Sequence, residues 1–125
     1  MKYLCLVYGE ESKLEGMRDE ECVAYDEALR NRGQCVASEA LRPVQTATTV
    51  RVTNGKVSVT DGPFAETKEQ LAGFYLIDAR DLNEAIQIAS KIPPARVGCV
   101  EVRPIRQLAG RKVEALLTRS KESSS

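Results

Sequence analysis

Asp61-Gly62-Pro63-Phe64-Ala65-Glu66-Thr67-Lys68-Glu69 puts three carboxylates and one amine into a single short segment. Carboxylates grouped in this way can exchange protons with a substrate if burial lifts one of them towards neutrality. They can also form the rim of a pocket for a polar ligand. Asp61, Glu66 and Lys68 are therefore the candidate catalytic groups, with Glu69 as a ligand contact. The plainer reading is a solvated loop whose local ion pairs contribute little. Arg51 and Arg103 could each grip a carboxylate ligand through a bidentate fork. Either could equally be a surface arginine paired with Glu101 or Glu39. Tyr75, with Tyr8, sits in an apolar run. A tyrosine there lines a wet cavity with its polar tip or simply packs.

Other chemistries are excluded or disfavoured by residue type. The chain has no His, which removes the usual proton shuttle at neutral pH and the commonest metal ligand. Cys5, Cys22, Cys35 and Cys99 form no CxxC pair, so no metal is expected. A nucleophilic Cys needs a basic partner or a helix N-terminus, and inert packing in a reducing cytoplasm is the expected role. The glycines make no phosphate-cradling loop, so no nucleotide or other cofactor is expected. Lys+Arg and Asp+Glu both count 18, giving a net charge of zero, which argues against nucleic-acid or anionic-membrane binding. No apolar stretch is long enough to span a membrane. The acidic residues after Tyr8 argue against a signal peptide, so a cytoplasmic location is expected.

These residues must be held by a small number of elements. Residues 2–8 read as a strand, residues 9–16 as a polar loop, and residues 19–32 as a helix capped by Asp19. The apolar stripe of that helix is Cys22, Tyr25, Ala28 and Leu29, and Gly33 ends it. A strand over residues 34–41 follows, closed by Pro43. Asn54-Gly55 between two β-branched runs predicts a type I′ hairpin pairing residues 48–53 with 56–60. Val50, Val52, Val57 and Val59 then share one face, which is expected to pack. Phe64 is expected to plug an edge of the core. Residues 71–79 are a strand apolar on both faces. Asp81 with Glu84 forms a capping box for a helix with the stripe Leu82, Ala85, Ile86, Ala89 and Ile92, stopped by Pro93-Pro94. A last strand covers residues 98–105. Residues 1–106 thus form the domain. Residues 107–125 form an arm, with a short helix supported by Val113, Leu116 and Leu117 and disorder over residues 121–125.

The order β-α-β-hairpin-β-α-β predicts an α+β fold: a ferredoxin-like antiparallel sheet with two helices on one face and an inserted hairpin. Residues 4–7 and 74–77 are apolar on both faces, yet two helices cover only one. A second copy of the sheet is the simplest cover, giving a closed homodimer with room for a small-molecule ligand.

The string DGPFAETKEQLAGFYLID, preceded by ATTVRVTNGKVSVT and followed by DLNEAIQIASKIP and GCVEVRPI, resembles the YCII-related, DGPF-domain family over residues 2–105. The resemblance implies a dimeric α+β barrel on a ferredoxin-like core, in small bacterial proteins. Some members are linked to alternative sigma factors, which implies, as an expectation, a protein partner in the transcription machinery. The His–Asp pair associated with the wider YCII group has no counterpart here, because there is no His. Val97 stands where relatives often carry an aromatic, and Met17-Arg18-Asp19-Glu20 replaces their Ser-Pro helix opening. Two functions follow as expectations. One is binding or transformation of a small polar molecule in a pocket near the Asp61–Glu69 loop. The alternative is a non-catalytic dimeric interaction module.

Overall fold

The computed structural model describes residues 1–110. The expected arm helix at Val113, Leu116 and Leu117 and the expected disorder of residues 121–125 lie outside them. The elements are β1 (Lys2–Gly9), α1 (Glu11–Leu14), α2 (Asp19–Asn31), β2 (Cys35–Ala40), β3 (Thr48–Thr53), β4 (Lys56–Asp61), β5 (Gln70–Asp78), α3 (Leu82–Ser90) and β6 (Gly98–Pro104). Four strands form one antiparallel sheet in the order β2-β5-β1-β6, and β3 pairs with β4 in a separate two-stranded ribbon. The architecture is therefore α+β and ferredoxin-like. Among the described residues, no helix is long and apolar enough to cross a membrane.

Period-two burial dictates how the layers meet. In β1, Tyr3, Cys5 and Val7 are buried, and in β5 Tyr75 and Ile77 are buried with them. Leu29 of α2, Ala85, Ile88 and Ala89 of α3, and Ile92 complete this core. Leu4 pairs with Leu76 and Leu6 with Phe74 on the opposite face of the sheet, and all four stay partly exposed. Apolar side chains thus occupy both faces of the central strands, as their sequence predicts.

The hairpin register matches the prediction, from Thr53 opposite Lys56 to Val50 opposite Val59. Asn54 and Gly55 take φ of 52° and 76°, the pair of positive values that a type I′ turn demands. α2 ends in a Schellman motif, in which the Gln34 N–H donates to the Leu29 carbonyl and the Gly33 N–H to that of Arg30.

Several expectations are corrected. The polar loop at residues 9–16 contains a single helical turn, α1, that buries none of its residues. Arg18, not Asp19, occupies the N-cap of α2, and no side chain caps it. Asp19 instead lies in the first turn, where its charge meets the helix dipole. Ala28 is exposed, leaving Leu29 as the fully buried residue of that helix. In α3, Leu82 and Ile86 are about half exposed, and Ile88 takes the buried position. The buried stripe is 85, 88, 89 and 92, the i, i+3, i+4, i+7 series, which keeps Ala85, Ala89 and Ile92 of the predicted stripe and has Ile88 in place of Leu82 and Ile86. Phe64 is 79% exposed and plugs nothing. Val50, Val52, Val57 and Val59 are 60–67% exposed, because their ribbon joins no other strand and nothing in the described chain lies over it.

Candidate functional site

Cys22, Asp26 and Leu29 are spaced four and three residues apart, so they share the sheet-facing side of α2. Leu29 closes one end of that contact by burial. Further along the helix the floor of the contact includes Gly73 of β5, which contributes no side chain. A cavity of about 230 Å³ opens there. Its roof is Cys22, Val23 and Asp26, its floor includes Val7, Gly73 and Tyr75, and Ser38 and Pro94 stand at its sides. A second cavity of about 350 Å³ shares Cys22, Ala72 and Pro94 with the first and reaches Leu14, Arg42 and Gln70. The two form one groove beneath α1 and α2.

The polar end of the inner cavity is built around Asp26. Its carboxylate accepts from the Ser38 hydroxyl at 2.5 Å, from Arg30 Nε at 2.8 Å and from the Cys35 thiol at 3.4 Å. Burial works against the charge, but the bonds from Ser38, Arg30 and Cys35 outweigh it and hold the Asp26 carboxyl below its usual range. Asp26 is thus an ionised, already paired anchor rather than a proton acceptor.

Tyr75 stands beside it with only 8% of its surface exposed. Its ring meets Tyr25 edge-on, with centroids 6.3 Å apart at 63°. The Tyr25 hydroxyl donates to the Ile88 carbonyl at 2.6 Å. The Tyr75 hydroxyl has no hydrogen-bond partner among the described residues. No fully enclosed side-chain oxygen or nitrogen there lacks a partner, so this hydroxyl keeps contact with open space, and Tyr75 lines the inner cavity. Burial pushes its phenol well up, reinforced by the charges of Cys22, Asp26, Cys35 and Tyr25, so it remains a neutral donor.

The thiols are not activated. Burial raises Cys22, with Asp19 and Glu21 adding to the effect, and burial and the Asp26 hydrogen bond raise Cys35. Cys5 is pushed up to about 11, chiefly by burial. Even the exposed Cys99 is raised, by desolvation and by Glu69. Thiols protonated near neutral pH do not attack carbonyls. Among the described residues, no group of three Cys, Asp or Glu side chains could hold a metal ion.

The residues proposed from sequence fall into two sets. Tyr75 lines the groove. Asp61 ends β4 opposite Thr48, exposed, and Glu66 is exposed beyond it. Among the described residues neither carboxylate pairs with a cation. The turn between them is held by the Gly62 N–H donating to Ala47 and by the Thr49 hydroxyl donating to the Gly62 carbonyl. Lys68 reaches Glu10 at 3.8 Å, and Glu69 lies 3.8 Å from the Cys99 thiol. Arg51 lies on the exposed ribbon, and Arg103 meets Glu101 at 4.0 Å. Neither cavity is lined by Asp61, Glu66, Lys68, Glu69, Arg51 or Arg103. Asp26 and Ser38 line the groove and are not among the residues proposed from sequence. The available signal was a carboxylate lying on the apolar stripe of α2 between Cys22 and Leu29.

The YCII-related domain model matches residues 1–109. An uncharacterised protein of Rhizobium meliloti (strain 1021) is 39% identical over 114 residues, which covers 84% of this chain and 92% of that protein. The family match runs through the sheet, the helices and the groove between them, and the chain belongs to the YCII-related family.

Proposed function

We propose that this protein is a homodimer that binds a small molecule in the groove beneath α2. The observation that carries the reading is the pair of adjoining cavities at the α2–sheet contact, with a nearly buried tyrosine hydroxyl left open to the inner one. Preformed apolar clefts with a few convergent polar groups are the usual form of ligand sites. The outer cavity ends on Gln70, Leu71 and Ala72, directly after the Asp61–Glu69 loop, which supports reading that loop as a flank of the site. Dimerisation is supported by the uncovered apolar face of the sheet and would close the fold into an α+β barrel. The groove supports binding; its raised thiols and paired carboxylate supply no activated nucleophile or base.

The test is a thermal-shift screen of metabolites against the wild type and Val23→Trp, which fills the mouth of the inner cavity. Compounds that stabilise the wild type should lose their effect in the variant. Hits indifferent to Val23→Trp would place binding elsewhere and overturn the reading.

The interaction-module reading also has one observation in its favour, the uncovered valine face of the β3–β4 ribbon. A partner in the transcription machinery would use that face. Val52→Ser with Val57→Ser should then abolish capture of a sigma factor while leaving the groove's ligand response intact.

A further inference from the structure

We infer that the groove takes an uncharged, mainly apolar molecule carrying a hydroxyl head, held at the end of the inner cavity that Tyr75 and Asp26 both line. This rests on the groove being a ligand site, as proposed above. Tyr75 is more than nine-tenths buried, yet its hydroxyl finds no partner among the described residues. A donor so placed normally has its hydrogen bond satisfied, and the cavity in front of it is where the missing partner fits. The head that completes the site must accept from Tyr75 and can donate onward to the Asp26 carboxylate. One hydroxyl group does both.

Charge discriminates against other heads. No Lys or Arg lines the inner cavity, so an anion meets no opposite charge there. A cation gains little, because Asp26 is already paired with Arg30 at 2.8 Å and Glu39 is exposed to water. The body of the ligand follows from the walls. Val7, Val23, Ala40 and Pro94 are apolar. An apolar cavity of about 150 Å³ accommodates benzene, so about 230 Å³ accepts a six-carbon ring with its substituent.

Four probes with one body and different heads test this: cyclohexanol, cyclohexylammonium, cyclohexanecarboxylate and methylcyclohexane. Binding is followed by NMR shift titration of the wild type and Tyr75→Phe. Cyclohexanol should bind tightest, and Tyr75→Phe should weaken it by about threefold to tenfold, the worth of one neutral hydrogen bond. Methylcyclohexane should be unaffected by the substitution. Because the hydroxyl has no protein partner, Tyr75→Phe should melt within about a degree or two of the wild type, which separates lost binding from lost folding. Tighter binding of the ammonium or the carboxylate overturns the hydroxyl head but leaves the groove standing. Cyclohexanol binding unchanged in Tyr75→Phe also overturns it. If none of the four perturbs residues around Cys22 and Gly73, the groove itself is not a ligand site and both readings fall.

Discussion

At Asp26, three donors converge on one carboxylate, and that arrangement sets its pH behaviour. The folded carboxyl titrates below its ordinary value of 3.8 because of the bonds from Ser38, Arg30 and Cys35, which overcome burial. A depressed folded value means that the stabilisation is present above the unfolded value and is lost as pH falls through the folded one. Asp26→Asn should therefore cost about 1 kcal/mol at neutral pH, since Arg30 and Ser38 lose a charged acceptor. The gap to the wild type should close below about pH 4, and urea melts at neutral and at acid pH check this. Cys5 carries the opposite sign. Its folded value of about 11 lies above the ordinary value of 9.0, so its contribution is full below pH 9 and is lost as pH rises towards 11. Iodoacetamide labelling read by mass spectrometry should modify Cys99 first and leave Cys5 untouched until the fold opens at high pH. Early labelling of Cys5 would contradict its burial. Tyr75 was visible in the sequence as a strand tyrosine with a polar tip. Asp26 was not, because an Asp four residues before an Arg on a helix reads as an ordinary surface pair until Ser38 and Cys35 are brought across from β2.

The elements that local chemistry alone specifies are the ones legible in the sequence. Asn54-Gly55 fixes the ribbon register, because its backbone handedness admits one alignment. Asp81 caps α3 by accepting from the Glu84 N–H at 2.9 Å, as read; Glu84 reaches back, but to the Arg80 N–H rather than to the cap residue's own. Asp81→Ala should cost about 1 kcal/mol, measurable as a lowered urea midpoint with unchanged slope. What local chemistry does not specify is less legible: which edge of the α3 stripe, Leu82 and Ile86 or Ile88, meets the core, whether Phe64 finds a pocket, and what covers the valines. Each of these depends on where a second element comes to rest. Close approach between strands is another such property. A Cβ at Gly98 would stand 2.0 Å from the Tyr8 carbonyl oxygen, and one at Gly73 would stand 2.7 Å from that of Glu39. In both cases the obstacle is backbone, which cannot swing aside. Gly98→Ala should therefore cost roughly 1–3 kcal/mol and loosen the β1–β6 end, seen as faster amide exchange at Tyr8 and Gly9. A Gly98→Ala variant as stable as the wild type would show that β6 can slide away from β1 without loss.

At the scale of the whole molecule, the unbalanced quantity is apolar sheet surface. An antiparallel sheet with one wet face shows polar residues there, but this face carries Leu4, Leu6, Phe74 and Leu76 in directly paired positions. Its charge lies at the margins, with Glu101 and Arg103 on β6, Glu39 on β2 and the Lys2–Asp78 pair at one end of the central strands. An apolar centre inside a charged rim is the anatomy of an interface core, and the same patch on two copies is self-complementary about a two-fold axis. Four strands about 4.8 Å apart and roughly seven residues long offer a projected area of roughly 20 by 20 Å. Side-chain relief increases the area removed from water, towards the lower range of stable interfaces, about 600 Å² per partner. The protein should therefore sediment as a dimer at micromolar concentration and dissociate on dilution. Leu6→Asp would set two like charges against each other across the axis, in a surface that must shed water to close. It should give a monomer with an unchanged far-UV spectrum, because Leu6 points away from the helix-covered core. A wild type that sediments as a monomer across the whole concentration range would mean that water wets this face, and the barrel would not form. Leu6 lines neither cavity, and the groove opens under α2 with Phe74 as the dimer-face residue that reaches it, so its ligand response should survive in Leu6→Asp. Assembly and binding can thus be separated by one substitution on each face of the sheet, Leu6→Asp and Tyr75→Phe.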